Sequence, residues 1–145
     1  MKRNKNKGSA GPFAVFVSHA AVDQWVAERI ASEIRDLGAQ TFVDCIDIER
    51  GNDIEESIIA AARNCEELVV LITPKALERK YIWMEIGGFW LAEKRIIGVL
   101  YGVTSKKLAA DENIPVVLKR LHLVDLNDVA SYFKELKKRI RKRRG

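Results

Sequence analysis

A chain of 145 residues, 16.4 kDa, is the size of one ordinary domain and leaves no room for a second. With 48% hydrophobic and 31% charged residues it has the composition of a soluble globular protein, which argues against disorder, collagen-like repetition and coiled coil. No uncharged apolar stretch approaches the roughly 18–20 residues of a bilayer crossing, and the basic start, Met1 to Lys5, is followed by no apolar h-region, so a cytoplasmic, unprocessed protein is expected. Two cysteines, Cys45 and Cys65, and two histidines, His19 and His122, at unrelated spacings form neither a disulfide framework nor a zinc site.

The formal net charge of +5 is unevenly placed. Lys2, Arg3, Lys5 and Lys7 open the chain, and from residue 134 onward eight bases stand against Glu135, so the body between is acidic. That is the wrong distribution for a folded face that grips a phosphate backbone. Residues 1–11 and 137–145 are therefore read as basic, solvated tails flanking a domain of residues 12–136, with nucleic-acid or membrane contact by charge alone as the lesser reading.

In chain order, Phe13 to Val17 is a short apolar run suited to a strand buried on both faces, ending in a loop at Ser18. Trp25, Val26, Ile30, Ile34 and Leu37 recur at helical spacing, with Asp23 as the expected cap and Gly38 as the stop. Thr41 to Val43 makes a second strand, Asp44 to Asp53 a polar loop, and Ile54, Ile58, Ile59 and Ala62 a second helix. Leu68 to Ile72 is the clearest buried strand, stopped by Pro74. A helix over Tyr81 to Glu93, a strand over Arg95 to Leu100 and a fifth strand over Leu121 to Leu126 follow. Val129, Phe133, Leu136 and Ile140 form the stripe of a closing helix. Apolar strands alternating with helices predict an α/β fold with a parallel sheet covered on both faces, and ligands then lie beyond the carboxyl ends of the strands. The loops Ser18 to Asp23 and Asp44 to Asp53 are the first candidates.

Several chemistries are absent from those loops. Neither GxGxxG nor GxxxxGK[ST] follows the first strand, which weakens dehydrogenase and NTPase readings. There is no GxSxG elbow, and Ser18 and His19 are neighbours in sequence, unlike a catalytic pair brought together by the fold. The acidic cluster of a phospho-acceptor domain is missing as well.

The blocks Phe16-Val17-Ser18-His19-Ala20, Phe42-Val43-Asp44, Gly51, Ile54, Cys65, Leu68 to Thr73 and Tyr81 to Gly87 resemble, in order and spacing, a Toll/interleukin-1 receptor (TIR) domain over Phe13 to Leu126. The wording after the third strand is similar to bacterial members. The resemblance implies a single five-stranded flavodoxin-like sheet of order 2-1-3-4-5. It also implies self-association through the loop after strand two (residues 45–53) and, in enzymatic members, cleavage of NAD⁺ at the nicotinamide glycosidic bond. NAD⁺ is then a substrate, and no cofactor or metal is called for.

The glutamate closing the family's WxxxE motif falls on Glu85, with Tyr81 in place of the tryptophan. Four apart on a helix, they share a face, and an aromatic ring beside a carboxylate suits a ribose and a cationic ring. His19 and Ala20 fall where family members contact NAD⁺, without the arginines some carry there. Asp44 is either part of the nucleotide site or a loop cap. Ile48 and Gly51 belong to the self-association loop and the NAD⁺-binding set. Trp83 and Trp90 are read as core or assembly face and Cys65 as buried filler. The resulting expectation is an NAD⁺ nucleosidase or cyclase of bacterial, anti-phage defence, acting as an oligomer with a separate sensor or effector protein. The product would be ADP-ribose, a cyclic isomer or an ADP-ribosyl conjugate. The alternative is a non-catalytic TIR adaptor that binds other TIR domains.

Overall fold

The structure is a computed structural model that describes residues 11–45, 54–114 and 121–144. Five parallel strands, β1 (Ala14–His19), β2 (Gln40–Cys45), β3 (Glu67–Ile72), β4 (Arg95–Leu100) and β5 (His122–Asp125), form one sheet in the order β2-β1-β3-β4-β5. Among the described residues six α-helices accompany them: α1 (Gln24–Asp36), α2 (Ile54–Asn64), α3 (Pro74–Leu77), α4 (Lys80–Leu91), α5 (Ser105–Ala110) and α6 (Val129–Arg144). This is the expected α/β fold and strand order.

The three inner strands, β1, β3 and β4, are largely apolar runs because both faces are covered, while the edge strands β2 and β5 are only partly buried. Phe13, Val15 and Val17 pack with α1 and α6 on one side, while Ala14, Phe16 and Ala20 face the layer holding α2 and α4. All six residues of β3 are buried, as a central strand requires. Gly38, at φ +103°, ends α1 in a conformation that only glycine adopts cheaply. On the other face α2 and α4 approach closely at Gly88, where a Cβ would lie 2.6 Å from Ile58 Cγ2.

Several boundaries differ from the sequence reading. Strand β1 runs on through Ser18 and His19, and β2 through Asp44 and Cys45, so these polar residues belong to strand ends and not to loops. Parallel pairing of Ser18 with Asp44 and of His19 with Cys45 extends both strands past their apolar cores. Asp23 stands at the N-cap position of α1, as expected, but its side chain makes no capping hydrogen bond. It closes a short 3-10 turn over Ala21–Asp23, and its Oδ2 accepts from Thr73 Oγ1 at 2.6 Å. Pro74 stops β3 and also starts α3, at whose first position its missing N–H costs nothing; Thr73 caps that helix by accepting from Ala76 N at 3.1 Å.

The basic C-terminal segment 137–145 is not a frayed tail over its described part. Helix α6 continues to Arg144, Ile140 is buried, and two of the bases are tied to the sheet. Arg143 Nη1 donates to Glu66 Oε2 at 2.6 Å. Arg139 grips the buried Glu67 through Nε and, at 3.1 Å, through Nη2, while Tyr132 OH donates to the same carboxylate at 3.0 Å. Charge-assisted arginine–carboxylate hydrogen bonds thus anchor the last turns of this helix to β3 and the residue before it. The described residues include no helix long and apolar enough to cross a membrane.

Candidate active site

The order of the sheet reverses between β1 and β3, and the crevice beyond their carboxyl ends is where an open α/β sheet presents a ligand site. Three elements meet there. Strand β1 brings Ser18, which alternation places on the face covered by α2 and α4, together with Ala14 and Phe16. Strand β2 brings Asp44 alongside Ser18 in register. Helix α4 brings Glu85.

The buried residues of α4 are Ile82, Glu85, Ile86 and Phe89, spaced i, i+3, i+4, i+7. Glu85 therefore occupies the helix's core stripe, where an apolar residue would be the stabilising choice, and is only 2% exposed. A carboxylate in such a place costs free energy unless it is hydrogen-bonded. The Ser18 hydroxyl, fully buried, donates to Glu85 Oε1. Phe16, two residues before Ser18, stacks on Phe89, one turn beyond Glu85, with ring centroids 5.8 Å apart. That contact fixes the register of α4 against β1 and so brings hydroxyl and carboxylate together.

His19 and Ala20 are buried at the end of β1. The ring Nδ1 lies 2.8 Å from the Ala20 carbonyl, which can only accept, so Nδ1 carries the proton and donates. The same carbonyl accepts from Asp23 N at 2.9 Å. By alternation His19 leaves the strand on the side opposite Ser18. Asp44 is 8% exposed and Tyr81 half-buried in the first turn of α4, one turn before Glu85 and packed against the core beneath. Ile48 and Gly51 lie outside the described residues. The structure thus brings Glu85 and Asp44 to one face of the sheet beside Ser18, and sets His19 apart from them.

Two residues absent from the sequence reading of the site emerge here. Ser18 touches the carboxylate, and its signal is the parity it shares with Phe16. Thr73, at the end of β3, donates to Asp23 and so ties the turn after β1 to the neighbouring strand end. Among the described residues, no three His, Cys, Asp or Glu side chains converge as a metal site would require. A cavity of about 570 Å³ lies at the opposite, amino end of the sheet, against Arg95 and His122, and is separate from Glu85.

The TIR-domain family model matches residues 15–140, and the chain belongs to that family. A probable 2′ cyclic ADP-D-ribose synthase of Brachypodium distachyon is 26% identical over 103 residues. That alignment takes in 70% of this chain and 46% of the plant protein, so the chain spans about half the length of the curated relative it matches. Among solved structures, the TIR domain of the Toll-related receptor TRR-2 from Hydra magnipapillata is 24% identical, with a TM-score of 0.63 over 88% of this chain and 97% of that one. A diflavin flavoprotein from Nostoc sp. shares the fold at 11% identity, with a TM-score of 0.58 over 92% of this chain and 97% of its own. The flavodoxin-like topology is common to both.

Proposed function

We propose that this TIR domain cleaves NAD⁺ between nicotinamide and ribose, with Glu85 as the catalytic residue. The observation that carries the reading is a carboxylate in the core stripe of α4, 2% exposed, at the reversal point of the sheet. Buried ionisable groups with a specific partner in a crevice are candidates for function, because nothing in packing alone favours them there. The likeness to a protein named as a cyclic ADP-ribose synthase supports the same chemistry.

The reaction breaks the C1′–N bond, and the electron pair leaves with neutral nicotinamide. Positive charge then develops on the ribose ring, as in glycoside hydrolysis. Glu85, oriented through Oε1 by Ser18, stabilises that charge and accepts hydrogen bonds from the ribose hydroxyls. Asp44 borders the nucleotide, and Tyr81 offers a ring face to the cationic nicotinamide. Water attacking C1′ gives ADP-ribose and a proton; a hydroxyl of the same molecule gives a cyclic isomer and a proton. Mass spectrometry of the adenine-containing products of an NAD⁺ incubation tests the reading, because intact NAD⁺ at high protein concentration would refute it.

A second reading has its own observation. The outward face of α4 is apolar, with Met84, Trp90 and Leu91 at 37%, 56% and 80% exposure, and carries no charge between Glu85 and Ala92. Such a face suits TIR–TIR association. Association without catalysis is the adaptor reading, and association that supports catalysis is the form consistent with Glu85.

A further inference from the structure

The amino end of the sheet, remote from Glu85, holds the cavity of about 570 Å³ between α6, strand β4 and the edge strand β5. Ile97 and Tyr132 contribute its apolar lining, while Arg95, Lys134, Arg139 and the exposed His122 bring basic and hydrogen-bonding groups, against Glu135 as the acid among them. Its size falls within the range of about 300–1,000 Å³ usual for small-molecule sites, which combine an apolar lining with a few placed polar groups.

Of the cations here, Arg139 is held in place by hydrogen bonds, and Arg95 stands beside the same carboxylate with its side chain 51% exposed. Glu67, at 2% exposure, receives two donors from Arg139 and one from Tyr132, and Arg95 Nε stands 3.7 Å from its Oε2. Two guanidinium groups thus share one buried carboxylate, so their positive charge exceeds what Glu67 neutralises. Arg95, half exposed at the rim and only 3.7 Å from this carboxylate, presents a planar fork suited to phosphate. We propose that this cavity is a binding site for a phosphate-bearing small molecule of mononucleotide size, with Arg95 and Lys134 on the phosphate and the Ile97–Tyr132 side against the apolar part.

The site is tested by titrating AMP, inorganic phosphate and adenosine into ¹⁵N-labelled full-length protein and following the amide resonances of His122, Ser131 and Lys134. The expected result is saturable shifts at these residues with AMP, weaker binding of phosphate and weakest of adenosine. Replacing both Arg95→Gln and Lys134→Gln, exposed positions that leave the Arg139–Glu67 fork in place, weakens AMP roughly 10-fold or more. Glu135→Gln tightens it, which keeps the test decisive should the double variant fold poorly. Lys137→Gln with Lys142→Gln, exposed positions of α6 outside the cavity, leaves it unchanged. Three results overturn the proposal. They are no saturable shift at millimolar AMP, shifts centred on Lys137 to Lys142, or an affinity that depends on the Lys137 and Lys142 pair as strongly as on Arg95 and Lys134.

Discussion

Ser18 and Glu85, 67 residues apart in sequence, are joined by a buried hydrogen bond from the Ser18 hydroxyl to Glu85 Oε1. A hydrogen bond to a charged group contributes about 1.5–3 kcal/mol, and its loss at a catalytic carboxylate misplaces the group that must meet the developing charge. Ser18→Ala is expected to lower kcat for NAD⁺ consumption roughly 10-fold or more with little change in KM, the pattern of an interaction that matters in the transition state. Ser18→Thr, which keeps the hydroxyl, restores much of the loss. Steady-state kinetics of the three proteins checks this, and an unaltered kcat in Ser18→Ala would remove Ser18 from the mechanism.

At the other end of the sheet, Glu67 depends on Arg139. Removing one member of a buried ion pair leaves the other uncompensated and costs about 3–5 kcal/mol when burial is complete. With the Arg139 side chain 23% exposed and Arg95 near, Arg139→Ala is expected to cost somewhat less, about 2–3 kcal/mol, measured as a shift in the urea midpoint at constant m. Arg141→Ala, on the solvent side of the same helix, changes stability by less than about 0.5 kcal/mol.

Burial pushes the Cys65 thiol up from 9.0 to about 11, with Glu66 adding to the rise, and burial and Glu67 hold the Tyr132 phenol well above its ordinary range. Both groups stay neutral in the fold at a pH where the unfolded chain already releases their protons. The stability that Cys65 gives is complete below about pH 9 and is lost as pH rises toward 11, and that of Tyr132 is lost at higher pH, above the ordinary phenol value of 10.0. Denaturation midpoints should fall steadily over that window. Iodoacetamide at neutral pH should label the half-buried Cys45 well before the buried Cys65, a difference read by peptide mass spectrometry.

Gly88 permits the close approach of α2 and α4. A methyl group there would meet Ile58 Cγ2 at 2.6 Å, so Gly88→Ala is expected to destabilise by about 1–3 kcal/mol despite the better helix propensity of alanine. Adding Ile58→Ala to that variant should cost less than the two single changes together, a non-additivity that a double-mutant cycle measures directly.

Much of this was legible in the chain. Apolar runs gave the inner strands β1, β3 and β4, the last to the residue, because a strand buried on both faces must be largely apolar. Polar strand ends were not legible: Ser18, His19 and Asp44 look like loop residues, and parallel pairing with neighbours decides otherwise. The C-terminal bases look like a solvated tail because Glu66 and Glu67, their partners, stand more than 70 residues away. Glu85 shows the sequence at its most informative. The family resemblance singled it out, while its place on the core stripe with Ile82, Ile86 and Phe89, aligned with Ser18 by the stacking of Phe16 on Phe89, is set by the fold.

The central claim is that Glu85 cleaves NAD⁺, and nicotinamide release by wild type beside Glu85→Gln at high protein concentration tests it most directly. Wild type is expected to release nicotinamide, with the rate falling roughly 100-fold or more in a variant that keeps the wild-type circular dichroism. Equal rates in the two proteins, or intact NAD⁺ with both even after enforced assembly, would contradict the account and leave the apolar face of α4 and TIR–TIR association as the function to pursue.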